Sequence, residues 1–316
     1  MIVFYWQKQQ ADNTDMITTL TQLDEKVHKL KRKLRLAVAW AQDSNTIGAV
    51  EKAVRMGFIE AILLGRSSEI IKICKDQGFE HNLFNILDAE NEDIASREAV
   101  RLARSDEADI IMKGLVGTDK FLKAVMDKEK GIMIPNSVLS YVGVLEIPSY
   151  HKLLFITDPA VIPFPDLNQK IAMARYAIEM AERFEVKNPK IALIGASEKM
   201  NSSFSNSVDY AVMCKMAERG QIKNCIMDGP LDLFLAYDRE SVKIKGVETP
   251  VNGDADILLF PSLESCNPFY KGLMLFAKGE LAGLIRGTEK PVIVMSRSES
   301  EKSKYFCIVL SCLMAT

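Results

Sequence analysis

One unit recurs along this chain: an apolar run of strand length, then a loop, then an amphipathic helical pattern. The apolar runs lie at residues 36–40, 61–64, 110–112, 191–194 and 257–260, and the predicted helices that follow the last three lie at 119–130, 208–219 and 269–278. Glycine, a common left-handed helix end, stands near the close of each helix, at Gly57, Gly78, Gly131, Gly220 and Gly279. Strands that alternate with helices of this length predict an α/β protein with mainly parallel sheets and right-handed crossovers.

The middle of the chain breaks this alternation. Residues 136–147 and 152–157 are consecutive strand-like runs with only a short turn between them, which favours neighbouring antiparallel strands. Three prolines follow within residues 159–165, so that stretch is predicted to be a rigid loop, and it leads into a predicted helix at 166–183. We expect a change of domain near residue 148.

Composition excludes several classes of protein. The 316 residues are 48% hydrophobic and 26% charged, which is typical of a globular protein with a sizeable core, and the net charge of -2 gives no reason to expect nucleic acid or a membrane surface as partner. The six cysteines have no CxxC spacing, so we expect a reduced cytoplasmic protein with neither a zinc site nor disulfides. Residues 1–6 are apolar but lack the features of a signal peptide, and residues 1–15 are predicted to be a disordered tail.

A hydroxyl and a fixed cation stand together near the C-terminus. The β-branched run at residues 292–294 is followed by Met295, Ser296 and Arg297, which places both polar side chains at the carboxyl end of a predicted strand. Open α/β sheets bind ligands at that edge, and a guanidinium recognises phosphate or carboxylate. The pair therefore suggests an anionic substrate, although an ordinary helix start with a solvated arginine gives the same pattern.

Other segments extend this observation into a family resemblance. The run from Lys113 to Val116, residues 221–230, residues 252–261, and Asn267 with Tyr270 and Lys271 occur in the order and spacing of the phosphate acetyltransferase/phosphate butyryltransferase family. The chain resembles the butyryltransferase branch more closely, from about residue 33 to the C-terminus.

The resemblance implies both a fold and a reaction. The fold would be of the isocitrate/isopropylmalate dehydrogenase type, with a discontinuous first domain at 16–147 plus 290–316, a second domain at 148–289, and the substrates in the cleft between them. The reaction would move a short acyl group, with butyryl favoured, between coenzyme A and inorganic phosphate. Coenzyme A would be a substrate, with no cofactor or metal, and the protein would be a homodimer or larger homo-oligomer.

Three residues are the predicted catalytic group. By resemblance, Ser296 would hydrogen-bond the coenzyme A sulfur and Arg297 would bind the anion. The acetyltransferases carry an aspartate shortly after this pair, whereas this chain has Glu299 and Glu301. Glu299 is the first choice for the proton acceptor, but a carboxylate that stabilises a helix N-terminus would look the same.

The predicted substrate-binding residues follow the strands of the recurring unit. Ser202 and Ser203 precede a predicted helix and could bind phosphate or simply cap that helix. The full set is Lys113, Gly114, Thr118, Ser202, Ser203, Asp228, Asn267, Tyr270 and Lys271. Ser265 and Cys266 replace the usual Ala-Gly of the family, which we expect to narrow or reshape the pocket.

Three other functions stay open at this stage. A phosphate acetyltransferase would differ only in acyl chain, and a degenerate relative would bind acyl-CoA without turnover. A metal-dependent dehydrogenase on the same fold would need clustered aspartates, whereas the acids here are scattered. The sequence contains neither GxxxxGK[ST] nor GxGxxG, which disfavours a nucleotide site of either type.

Overall fold

The computed structural model describes residues 16–315, so the predicted disordered tail at 1–15 lies outside the described residues. The helices are α1 (Leu20–Lys29), α2 (Ser44–Arg55), α3 (Ser67–Gln77), α4 (Glu92–Arg104), α5 (Thr118–Val125), α6 (Leu167–Arg183), α7 (Ser205–Glu218), α8 (Leu233–Tyr237), α9 (Arg239–Lys245), α10 (Leu263–Phe276) and α11 (Glu301–Met314). A short 3₁₀ helix lies at His81–Leu83. The strands are β1 (Leu34–Ala39), β2 (Ile59–Gly65), β3 (Phe84–Asp88), β4 (Ile110–Lys113), β5 (Ser140–Glu146), β6 (Leu154–Thr157), β7 (Lys190–Ile194), β8 (Ile226–Leu231), β9 (Ile257–Leu259), β10 (Glu280–Arg286) and β11 (Val292–Ile293).

All of these strands join one sheet in the order β3-β2-β1-β4-β11-β10-β5-β6-β9-β7-β8. The five strands from β3 to β11 are mutually parallel, and so are the four from β6 to β8. Between the two groups, β10 and β5 pair antiparallel with each other and with their outer neighbours. The two groups therefore run in opposite directions. The predicted α/β class with mainly parallel strands is confirmed, and so is the antiparallel pairing of β5 and β6.

The helix ends show where local side chains override the helical pattern. The predicted helix at 119–130 stops at Val125, because the Asp127 carboxylate accepts hydrogen bonds from the backbone N–H groups of Glu129 and Lys130 and closes a turn there. The helix predicted at 269–278 instead begins at Leu263, where Ser262 caps it. Pro268 therefore lies inside this helix, not before its first residue.

The C-terminal helix α11 is buried over most of its length. Every side chain from Ser303 to Met314 is buried, and the helix packs on β10, α2 and α1. Its one cation in this stretch, Lys304, donates to Asp43 Oδ1 at 2.9 Å and to Thr46 Oγ1 at 3.1 Å. The end of the chain is thus joined to the first strands and helices. The domain boundaries near residues 148 and 290 stay a prediction.

Asp158, just after β6, organises the loop that reaches the centre of the sheet. Its carboxylate accepts hydrogen bonds from the backbone N–H groups of Ala160, Val161 and Tyr141, at 2.8 to 3.1 Å, and from the Ser140 hydroxyl at 2.9 Å. The side chain is almost fully buried, and burial raises its pKa although these hydrogen bonds oppose the shift.

We expect Asp158→Ala to lower the free energy of unfolding by at least about 3 kcal/mol, since three buried backbone donors would lose their acceptor. Urea unfolding measures this, with Asp158→Asn, which keeps one acceptor oxygen, as the milder companion variant. A loss below about 1 kcal/mol for the alanine variant would show that water replaces the carboxylate.

Candidate active site

A cavity of about 280 Å³ opens where the two groups of parallel strands meet. It gathers residues from the loops after β6 and β11, from helices α5 and α10, and from the central strands β5 and β10. The lining residues are Thr118, Tyr141, Pro159, Ala160, Asn267, Tyr270, Lys271, Leu281, Val294, Met295, Ser296 and Glu299. Six of the twelve predicted site residues therefore lie around one space.

Residues 296–299 form a turn between β11 and α11. The Glu299 N–H donates to the Ser296 carbonyl at 3.2 Å, and the Ser296 and Ser298 hydroxyls are 3.0 Å apart. Ser300, not Glu299, caps α11 through the Ser303 N–H. Glu299 instead lines the cavity, so the alternative that it stabilises the helix N-terminus is not needed to explain its position.

The carboxylate of Glu299 is largely buried, and the cavity around it has both polar and apolar side chains. The Tyr270 hydroxyl donates to Glu299 Oε1 at 3.3 Å, and Lys271 is the next residue along the same helix. Burial raises the pKa of Glu299, while the Tyr270 hydrogen bond and the Lys271 charge oppose that rise. A carboxylate with a raised pKa is a stronger base than an exposed one, which suits a proton acceptor.

The remaining polar lining comes from two helices. Asn267 on α10 donates through Nδ2 to the Pro159 carbonyl at 2.8 Å, which ties α10 to the loop after β6. Thr118 is the first residue of α5. Together with Lys271, these residues add hydroxyl, amide and ammonium groups to the cavity lining.

Arg297 and Lys113 do not line the cavity in this structure. The exposed Arg297 guanidinium donates to the Leu115 carbonyl at 2.9 Å. Lys113 is buried and donates to the carbonyls of Gly114 and Val116, each at 3.1 Å. Burial, reinforced by the nearby Arg297 charge, lowers the pKa of Lys113 to about 8. Both cations thus hold the turn after β4, directly before Thr118.

The other predicted binding residues lie apart from the cavity lining. Gly114 packs tightly beneath Trp40, where an added Cβ would lie 2.4 Å from the Trp40 carbonyl oxygen. Ser202 and Ser203 are exposed in the loop before α7. Asp228 lies within β8 and accepts from the Gly229 N–H at 2.9 Å. The binding roles of these residues stay predictions.

Sequence reasoning missed the apolar half of the cavity. Tyr141 and Leu281 come from the central strands, and Val294 and Met295 come just before Ser296. By contrast, neither Ser265 nor Cys266 is among the lining residues: Ser265 bonds Ser262 at the start of α10, and Cys266 is fully buried. The expectation that this pair narrows the pocket is therefore not supported by its placement.

A larger space, about 690 Å³, lies between α4 and α5 on the outer surface. Its rim consists mostly of exposed charged side chains, and none of the predicted site residues lines it. We therefore take the smaller central cavity as the candidate active site. Within residues 16–315, no group of three or more His, Cys, Asp or Glu side chains is placed to hold a metal ion. Over the same residues, none of the helices is long and apolar enough to cross a bilayer.

Comparison with known proteins decides the family. Residues 95–312 match the family described as phosphate acetyl/butaryl transferase. The chain belongs to this family. It is 38% identical to the phosphate butyryltransferase of Clostridium acetobutylicum over 300 residues, which cover 95% of this chain and 99% of that protein. It is also 37% identical to the phosphate acetyltransferase of Thermotoga maritima over 281 residues, 89% of this chain and 95% of that protein.

A solved structure agrees with the family assignment. The crystal structure of a branched-chain phosphotransacylase from Enterococcus faecalis superposes with a TM-score of 0.78 at 28% identity, covering 89% of this chain and 99% of that one. The predicted family resemblance is thereby confirmed over most of the described chain.

Proposed function

We propose that this protein transfers a short acyl group, butyryl by preference, between coenzyme A and inorganic phosphate. The observation that supports the proposal best is the central cavity, which in a member of this family brings Ser296, Glu299 and Tyr270 together. Acyl transfer needs a site for the anion, donors for a developing oxyanion and a group that handles the thiol proton. The cavity contains or adjoins side chains suited to all three.

The residues have distinct roles in the proposed reaction. In the direction of thioester formation, Glu299 accepts the thiol proton of coenzyme A, and the sulfur attacks the acyl phosphate carbonyl carbon. The bond from that carbon to the phosphate oxygen breaks, phosphate leaves toward Arg297, and the proton held by Glu299 passes through solvent to the departing phosphate, which gives hydrogen phosphate and restores the carboxylate. Ser296 donates a hydrogen bond to the sulfur. In the reverse direction phosphate attacks the thioester carbon, and Glu299 returns the proton to the departing sulfur.

Oxyanion stabilisation would come from the α10 side of the cavity. Lys271 and Asn267 are N–H donors, and Thr118 offers a hydroxyl beside them. Asn267 is already held by its hydrogen bond to the Pro159 carbonyl, so this donor is fixed before substrate binds. None of these roles requires a metal ion or a redox cofactor.

The test is a thiol-release assay with phosphate and acetyl-, propionyl-, butyryl-, isobutyryl- and valeryl-CoA. We expect turnover with a maximum of kcat/KM at butyryl-CoA, and because one methylene contributes only about 1–3 kcal/mol, acetyl-CoA should be a poorer but detectable substrate. Activity should be unchanged by EDTA and by nicotinamide nucleotides.

Each other outcome selects a different function. A maximum at acetyl-CoA would make the protein a phosphate acetyltransferase. Loss of activity with EDTA, restored by magnesium or manganese, would favour the dehydrogenase-like alternative. Binding of acyl-CoA without turnover would leave a degenerate acyl-CoA-binding relative.

We also propose a cytoplasmic homodimer or larger homo-oligomer. The six cysteines are unpaired, which suits a reducing compartment. Phe204, which precedes α7, and Val208 and Val212 within it are exposed at helical spacing, an apolar stripe of the kind that subunits cover. Light scattering should give a multiple of the 35.4 kDa chain mass, and a monomer would contradict the proposal.

A further inference from the structure

The floor of the cavity is built on a pair of glycines. In the antiparallel register of β5 and β10, Gly143 lies opposite Gly283, with Tyr141 opposite Ile285 and Leu281 opposite Leu145. Alternation along each strand places these residues on one face of the sheet. Tyr141 and Leu281, which flank the glycine pair, both line the cavity.

Because glycine has no side chain, Tyr141 and Leu281 can lie flat against the sheet. A Cβ at Gly283 would be 2.3 Å from the Tyr141 hydroxyl oxygen, and a Cβ at Gly143 would be 3.2 Å from a Leu281 methyl carbon. The Tyr141 ring therefore covers Gly283, and the Leu281 side chain covers Gly143. With larger residues at these positions, the ring and the methyl group would rise into the space above.

Met295 closes the same apolar wall. The Tyr141 hydroxyl lies 3.7 Å from the Met295 sulfur, and the Cys307 sulfur lies 3.3 Å from the same Met295 sulfur. Met295 immediately precedes Ser296, the proposed sulfur ligand. An acyl chain attached at that sulfur thus has an apolar surface directly beside its attachment point.

We propose that Tyr141, Leu281 and Met295 form the subsite for the acyl chain and set the chain length that the enzyme accepts. This inference rests on the proposed acyl transfer and adds the residues that select among acyl groups. The site would take unbranched or singly branched aliphatic chains of few carbons.

The chemistry of the lining decides which substrate part lies here. Phosphate and the coenzyme A nucleotide carry charges that would lose their hydration against aromatic, thioether and aliphatic groups, whereas a hydrocarbon chain gains from the same contact. The cavity volume of about 280 Å³ is also slightly below the range of about 300–1,000 Å³ that is usual for sites holding drug-sized ligands. The nucleotide end of coenzyme A must then lie outside.

The first test enlarges the subsite. Leu281→Ala removes three carbon atoms from the wall, so kcat/KM for hexanoyl-CoA relative to butyryl-CoA should rise by about tenfold or more. Leu284→Ala is the matched control, because Leu284 is an equally buried leucine on the same strand but points to the opposite face. That variant should keep the chain-length profile of the wild type.

The second test reduces the subsite. Gly283→Ala should lift the Tyr141 ring, so the ratio of kcat/KM for butyryl-CoA to that for acetyl-CoA should fall by about tenfold. If Gly283→Ala does not fold, Ala160→Val fills the cavity from a partly exposed loop and should shift the ratio in the same direction.

The results separate this inference from the proposed function. An unchanged chain-length profile in Leu281→Ala, or an equal change in Leu284→Ala, would overturn the subsite while leaving acyl transfer intact. A change confined to the KM for phosphate would overturn it as well, because the anion would then occupy this wall. Absence of turnover in the wild type with every acyl-CoA would instead overturn the proposed function.

Discussion

Arg297→Ala should lower kcat/KM for phosphate by about 10²- to 10³-fold, the usual loss when one preorganised anion donor is removed. Within residues 16–315 the guanidinium donates one hydrogen bond, to the Leu115 carbonyl, which leaves its other N–H groups available to an anion. It follows Ser296 directly and can turn toward an anion at that residue. Because the side chain is exposed, the melting temperature should change little.

Steady-state kinetics with phosphate as the varied substrate measure this effect. Arg297→Lys should recover part of the activity, since an ammonium keeps the charge but not the bidentate geometry. Arg97→Ala, another exposed arginine, on the outer surface of α4, serves as the matched control and should behave as the wild type. A wild-type KM for phosphate and a wild-type kcat in Arg297→Ala would remove Arg297 from the site.

The fold could be predicted from the sequence because its signals are local. The apolar runs of β1, β2, β4, β7 and β9 are short, rich in aliphatic residues and bounded by loop residues, and each lies where it was expected. Strands β3 and β10 were not predicted, for different reasons. Strand β3 mixes polar with apolar residues, and β10 contains Gly283 at its centre.

The polar residues of the candidate site could be predicted from the sequence, whereas the apolar ones could not. Polar residues that follow strands, such as Ser296 and Asn267, stand out in a sequence because they interrupt apolar patterns. Tyr141 and Leu281 do not stand out, since each looks like an ordinary core residue of a strand. Their proposed function depends on the register that places Gly143 opposite Gly283. These residues are about 140 positions apart, and neither segment alone predicts that the two strands pair.

Hydrogen bonds to backbone carbonyls explain the partial result for the cations: the acceptors of Lys113 are close in the sequence, whereas the acceptor of Arg297 is far from it. Lys113 and Arg297 were both expected in the cleft because each follows a strand. The structure instead has Lys113 bonded to two backbone carbonyls and almost fully buried. A sequence shows that a lysine follows a strand, but not which carbonyl groups the next turn will offer to it.

Glu299→Gln should lower kcat for thioester formation by about 10²- to 10⁴-fold, the range for loss of a general base. The amide keeps the shape and can still accept a hydrogen bond from Tyr270, but it cannot take the thiol proton. Glu301→Gln is the matched control, because Glu301 is the other acid in this segment and its side chain is exposed. That variant should retain near-wild-type turnover.

The pH dependence distinguishes a proton acceptor from a structural carboxylate. Burial raises the pKa of Glu299, so wild-type activity should fall as the pH drops through a value above the ordinary glutamate pKa of about 4.3. Glu299→Gln should lose that acid limb. The raised pKa also means that the folded state binds the proton more tightly than the unfolded state does, so Glu299 costs stability as the pH rises through its pKa. Glu299→Gln should therefore melt no lower than the wild type at pH 7.5. A variant that is equally inactive but melts lower, with the acid limb of its residual activity unchanged, would make Glu299 a structural residue.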